Sequence, residues 1–245
     1  LLLWCILYYA PFYYEGIKNF SPIKAGVALF PQTFTVAPAS IATGITAAIT
    51  GKYRWGTWSG WALTTLGMGL LIKLDLDTST PAWIFLNLVG GIGTGILFAA
   101  MALAVQASSS SKNMAYAVTM FAFFRAFGQT VGVALGGVVF QNVMKRKLLT
   151  YPSLAAHASE YARDSSSLVE IIKAMPPGDD KQFLLESYMH GLRGIFYMCT
   201  ALAALAFIAS FGTKALPLDR ALETEQGFQH KERKSDEEKP TDASS

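Results

Sequence analysis

Arg125 has the most chemistry to offer because of where it stands. It is the single charge between residues 113 and 144. About eleven residues into an apolar helix, it would lie roughly 15 Å from the start, near the middle of a bilayer. Burying an arginine there costs at least about 2.5–3.5 kcal/mol, so its guanidinium must face polar groups or a water-filled interior. At about 100° per residue, Phe121, Arg125, Gly128, Gln129, Gly132 and Gly136 fall on one helix face. The polar members could line a path for a substrate or ion. They could equally form a structural contact satisfied by carbonyls or an acid of a neighbouring helix. Gly128, Gly132 and Gly136 have the four-residue spacing that lets a second helix approach closely.

Other candidates are spread along the chain. Asn87 and Gln106 flank a run with Gly90, Gly91, Gly93 and Gly95. These glycines sit inside an apolar stretch with no strand before them, so a phosphate-binding loop is excluded and close helix packing is expected. Asn87 and Gln106 then serve as polar links between helices or as pathway-lining groups. Gln32 follows Pro31, where a loosened backbone can expose carbonyls to a substrate, or simply kink. Tyr9 lies in an aromatic cluster with Tyr8 and Phe12, suited to a headgroup-level belt or an aromatic substrate wall. His157 falls in a polar stretch, and His190 and Arg193 flank an apolar one, where snorkelling to the interface is the default. No His, Cys or acidic residues have metal-ligand spacing, no nucleophile motif is present, and no cofactor is implied. No acid stands at mid-depth in any apolar stretch. A proton carrier, if one is used, is expected outside this sequence.

The elements that must position these residues are apolar helices. Of the 245 residues, 52% are hydrophobic and 15% charged, with a mean hydropathy of +0.33; soluble domains carry about 25% charge. The apolar residues are gathered into uncharged runs at 1–14, 25–51, 55–72, 78–111 and 194–213, beside the run around Arg125. These predict an all-α membrane bundle of six spans, at about 1–15, 25–50, 55–73, 81–107, 114–140 and 189–212. Pro31 and Pro38 are expected to kink the second. Residues 141–187 are too polar for a membrane and predict short amphipathic helices. Pro152 would start one, and Ser167 with Glu170 would form a capping box for another. From 214 on the chain is expected to be a disordered, charged tail, with 13 of the 29 residues from Pro217 onward charged.

Charge distribution narrows the partners. The net charge is +3 and forms no continuous basic face, which excludes nucleic acid as a partner. Cys5 and Cys199 both sit in apolar runs and act as small hydrophobes. The sequence opens at Leu1 directly in an apolar run, with no basic leader and no cleavage site. It is therefore expected to be the C-terminal part of a longer membrane protein. Cationic residues divide almost evenly between the two ends of the spans, so charge alone leaves the topology open.

Several motifs together resemble the major facilitator transporters, and most of all the fungal members of the fourteen-span drug–proton antiporter branch. Ser21-Pro22-Ile23-Lys24-Ala25-Gly26, followed by Leu29-Phe30-Pro31, is similar to the entry of the second helix of that fold's C-terminal half. Gly51-Lys52-Tyr53-Arg54-Trp55 resembles its basic cytoplasmic turn, which Lys52 and Arg54 would anchor. The run FFRAFGQTVGVALGG from Phe123, with Phe140-Gln141-Asn142, is similar to the branch's penultimate helix. Residues 222–228 add minor support. The resemblance implies a cytoplasmic C-terminus, with 141–187 on the outer or lumenal side. It also implies export of small hydrophobic or amphipathic molecules by proton antiport, with the plasma membrane as the expected location.

The resulting expectation is a six-helix half of an exporter, embedded in the lipid bilayer. Arg125, Gln129, Phe121, Asn87, Gln32, Gln106 and Tyr9 would face the substrate pathway. Alternating access needs two halves, so transport would require the N-terminal half or a second copy. Two other classes compete: a truncated membrane protein that packs with partner helices without moving solute, and a membrane-embedded enzyme. The enzyme would need clustered acids or histidines near one interface, which the sequence lacks.

Overall fold

In a computed structural model, residues 1–163 and 165–213 are described. Every regular element among them is helical. The tail expected from 214 on, with the 222–228 stretch, lies outside the described residues.

Helix α1 covers Leu2–Phe12 and carries Pro11 near its end. Proline supplies no backbone N–H, and the chain then loosens into a π-helical turn, Tyr13–Ile17. Helix α2, Pro22–Ala28, starts where Ser21 Oγ accepts a bond from the Lys24 N–H at 3.4 Å, with Pro22 in its first turn. A break at Leu29 separates it from α3, Phe30–Thr50, which holds Pro31 in its first turn and Pro38 in its interior. Gly51, at φ +66°, ends α3 in the left-handed region, and its N–H donates to the Ala47 carbonyl at 2.9 Å. Helix α4 spans Arg54–Leu71, α5 Thr80–Ser108 and α6 Met114–Leu148. Three short helices follow, α7 (Pro152–Ala155), α8 (Ala158–Tyr161) and α9 (Ser165–Ala174), before α10, Asp179–Ser210.

Pro152 does start a helix. Ser167 and Glu170 lie inside α9 rather than at its start, because that helix begins three residues earlier than the capping reading requires. The polar segment is shorter than expected. Helix α6 runs eight residues past 140, and α10 begins ten residues before 189. Lysine, arginine, glutamate and glutamine end an apolar run but are good helix formers. Asp179 and Asp180 also favour the start of α10 through its dipole.

Among the described residues four stretches are long and apolar enough to cross a membrane: Pro22–Thr50, Thr80–Ser108, Met114–Leu148 and Asp179–Ser210. Helix α1 with its π-turn is shorter, and α4 is 18 residues rich in Gly, Thr and Trp. Both nevertheless lie in the same bundle.

Helix α5 is clasped between α3 and α4 through its glycines. A methyl group added at Gly93 would lie 2.5 Å from the Thr64 nitrogen and 2.8 Å from the Leu63 carbonyl carbon. One at Gly95 would meet the Val36 carbonyl at 2.5 Å. Residues 93 and 95 thus bring α5 against the backbones of two different helices. A second packed region joins α1, α6, α9 and α10 around Cys5, Tyr13, Phe140, Met144, Leu184 and Tyr188. Outward faces carry large apolar side chains, among them Phe34, Ile49, Phe124, Phe127 and Ile208. Such a surface suits lipid.

Overpacking of this kind costs about 1–3 kcal/mol. Gly93→Ala should therefore lower the thermal unfolding midpoint of the detergent-purified chain by several degrees. Gly26→Ala, with nothing within 4 Å of the added carbon, should leave the midpoint unchanged or raise it slightly.

Candidate functional site

The face of α6 divides into two parts. Toward its C-terminal half it receives α1. A Cβ at Gly132 would meet the Leu1 carbonyl oxygen at 2.7 Å, and one at Gly136 would meet the Tyr9 ring at 2.5 Å. Tyr9 is buried there, and its hydroxyl donates to the Val133 carbonyl at 2.9 Å. The structure thus places Tyr9 in a helix contact with α6. Gly128 lies one turn further along, near the Leu1 nitrogen.

Beyond Gly128 the same face opens. Arg125 is exposed, with its guanidinium carbon 4.9 Å from the centre of the Phe98 ring on α5. Among the described residues it has no carboxylate and no hydrogen-bond acceptor as a partner. Gln129 and Phe121, each about a turn away, are half-buried. Because α6 continues to Leu148, its midpoint is residue 131, so Arg125 lies about 9 Å from the centre toward the start. A cation resting on an aromatic face is held in place with its N–H groups still able to donate.

The other candidates do not join this face. Asn87 is buried on α5, and its amide donates to the Tyr14 hydroxyl at 2.6 Å and to the Trp83 carbonyl at 2.7 Å. Gln32 is 1% exposed at the start of α3, and neither of its amide atoms has a partner. Its backbone lies against Gly91 of α5. Gln106 is exposed near the far end of α5. In the turn after α3, Lys52 is exposed and its carbonyl accepts the Trp55 indole N–H at 2.9 Å. Arg54 stacks over the Trp58 ring at 4.4 Å.

Sequence reading missed a polar knot at the opposite end of the bundle. Arg193 of α10 pairs with Asp75, N to O 2.9 Å, and donates through both Nε and Nη2 to the Leu74 carbonyl. The Tyr13 hydroxyl donates to the Asp75 carbonyl at 2.8 Å, and Lys18 Nζ to the Leu76 carbonyl at 2.6 Å. Arg193 is therefore a tie between α10 and the α4–α5 loop, where a snorkelling side chain was expected. The available signal was a cation and an acid at the same end of two spans. The Leu76 N–H bonded to its carboxylate holds Asp75 below its ordinary 3.8, and Arg193 adds to this. Burial lowers the Lys18 ammonium.

No protein-family profile matches the chain, and no solved structure matches it. Curated relatives do. "MFS transporter L2" of a Phoma species is 61% identical over 98% of this chain and 40% of its own length. "Efflux pump FUS6" of Gibberella fujikuroi is 32% identical over 98% of the chain and 42% of its own length. "Acurin A biosynthesis cluster MFS-type transporter" of Aspergillus aculeatus is 31% identical over 94% and 42%. The chain thus spans about two fifths of the relatives it matches. They are transporters by name, which agrees with the major facilitator resemblance read from the motifs.

A carboxyl group held below its unfolded value stabilises the fold above that value, and the contribution is lost as pH falls through the folded one. Acid titration of stability should thus show a loss below about pH 3.8 that Asp75→Asn reduces. The Asp75 side chain is 60% exposed, so the difference should not exceed about 1 kcal/mol.

Proposed function

We propose that this chain, homologous over nearly its whole length to major facilitator transporters, is the six-pass C-terminal half of an efflux transporter. Its substrates would be small hydrophobic or amphipathic molecules, exported across the plasma membrane by proton antiport. The observation that carries the reading is Arg125, an unpaired cation on the open part of α6, resting on Phe98. Chemistry supports this assignment: a guanidinium inside an apolar span costs several kcal/mol unless it meets polar groups or water. A substrate oxygen or a group on the other half would meet that need, with Gln129 a turn away to donate or accept.

One of the three relatives named above is called an efflux pump, which supports reading the direction of transport as export. Helix α4 counts as a span in this reading because it runs alongside α5, and α1 is counted with it, lying beside α6 from Gly128 to Gly137 and leading through Tyr13 to the end of the bundle that holds the α4–α5 loop. The turns at 51–53 and 109–113 and the tail would face the cytoplasm, and the segment after α6 the outside. Alternating access needs a second half rocking against this one, and the remaining three fifths of the relatives' length leaves room for it. The proton carrier is assigned to that half, because the apolar interiors of these spans hold no carboxylate.

In full-length protein, Arg125→Ala and Gln129→Ala should reduce export of a transported substrate at least about tenfold and a few-fold respectively, at unchanged membrane abundance. Arg125→Lys should retain part of the activity. Export equal to wild type in Arg125→Ala, with the protein equally stable, removes Arg125 from the pathway.

A further inference from the structure

Where α6 ends beside the start of α10, the helices frame an open cavity of about 350 Å³ lined by Val143, Arg146, Lys147, Thr150 and His190. Its lining holds two permanent cations, an imidazole and a hydroxyl, and no carboxylate. The acid one turn before His190, Glu186, is occupied: the Tyr151 hydroxyl donates to it at 2.8 Å, and the Tyr151 ring lies 4.9 Å from Lys147 Nζ. Arg193, one turn past His190, is committed to Asp75. Among the described residues neither Arg146 nor Lys147 has a carboxylate at ion-pair distance, and Glu186 is the acid nearest His190 in sequence, so the lining carries excess positive charge that suits an external anion.

What lies below the mouth decides which anion. Val143 belongs both to the cavity and to the seam between α6 and α10, where it and Val139 press against the bare α-carbon of Gly194. The missing side chain at 194 leaves that seam shallow. On the outward surface near this seam Tyr197 of α10 is 60% exposed and Val138 of α6 56% exposed. The cationic mouth is thus followed along both helices by exposed apolar side chains. Inorganic phosphate would satisfy the mouth and leave those side chains uncovered.

We propose that this cavity binds the phosphate of an anionic phospholipid, with an acyl chain along the Val143–Val139–Tyr197 seam. Arg146 donates through its planar fork and Lys147 as a point charge, while His190 and Thr150 close the rim. Cationic side chains between spans hold anionic headgroups by this chemistry, and in the orientation proposed above this mouth faces the outer leaflet. The inference rests on the chain lying in a bilayer, and its readout is lipid binding, so it stands or falls separately from transport.

The test is native mass spectrometry of the purified full-length chain titrated with phosphatidylglycerol and with phosphatidylcholine. Wild type should prefer phosphatidylglycerol. Arg146→Gln with Lys147→Gln should weaken that lipid about tenfold or more, from the effect of two charges near an anionic group. Lys147→Arg should preserve the preference. Lys145→Gln, which removes the same charge from a residue outside the cavity, should change it less than about twofold. Three results would overturn the proposal: no preference in wild type, an equal loss in Lys145→Gln, or displacement of the lipid by inorganic phosphate at matched concentration. The last would mark a free-anion site. Should the double variant not fold, Lys147→Gln against Lys147→Arg separates the same outcomes.

Discussion

The close approach of three helices at the glycines of α5 is the contact on which the rest of the bundle depends. Inside lipid there is no hydrophobic drive to bring apolar helices together, so association relies on van der Waals packing over short distances. Gly93 admits α4, whose own Gly67 lies against the Gly90 backbone, and Gly91 and Gly95 admit α3. With α4 fixed, α10 packs along it, and α10 in turn carries α6. Helix α1 then seats on Gly132 and Gly136 of α6, closed by the Tyr9 hydroxyl on the Val133 carbonyl. Each step uses a residue without a side chain, or with a small one, to place the next helix.

Polar ties act at the two ends of this packing, where geometry rather than burial must be specified. At one end the Trp58 indole donates to the Ser210 carbonyl at 3.1 Å. At the other, the Arg193–Asp75 pair, Tyr13 and Lys18 fasten the π-turn, the α4–α5 loop and α10 to one another. Asn87 with Tyr14 extends the same knot into the apolar interior. Around Arg125, in the first half of α6, no such tie occurs among the described residues beyond the Phe98 ring, and this is the open part of the helix. The contrast between a fastened end and an open face is what gives the bundle a candidate site.

Much of this was legible in the sequence for identifiable reasons. Uncharged runs gave the helices of the bundle, and Gly51 stood in the turn expected after the second span; α2 begins at Pro22, three residues before the span read from about 25. Helix ends were less legible where charge and helicity part company: Lys145-Arg146-Lys147 and Asp179 to Glu186 stop a hydropathy run without stopping a helix. That extension also moved Arg125 off the midpoint of its helix. Partners distant in sequence were not legible at all. Asn87 and Tyr14 are 73 residues apart, and Arg193 lies 119 residues from the carbonyl it grips; no local pattern encodes such pairs. Tyr9 read as a belt or pathway residue, because its type fits any of three roles until the glycine opposite it is known.

The proposed half-transporter stands on six helical passes between two opposite ends, with α1 and α4 crossing despite their shortness or polarity. Cysteine accessibility in sealed membranes measures this, since the native Cys5 and Cys199 are both buried and should stay silent. Single cysteines at Lys52 and Ser109 should label from one side of the membrane, and those at Thr78 and Ser153 from the other. Labelling of Lys52 and Thr78 from the same side would mean that α4 does not cross, and the six-pass arrangement would be wrong.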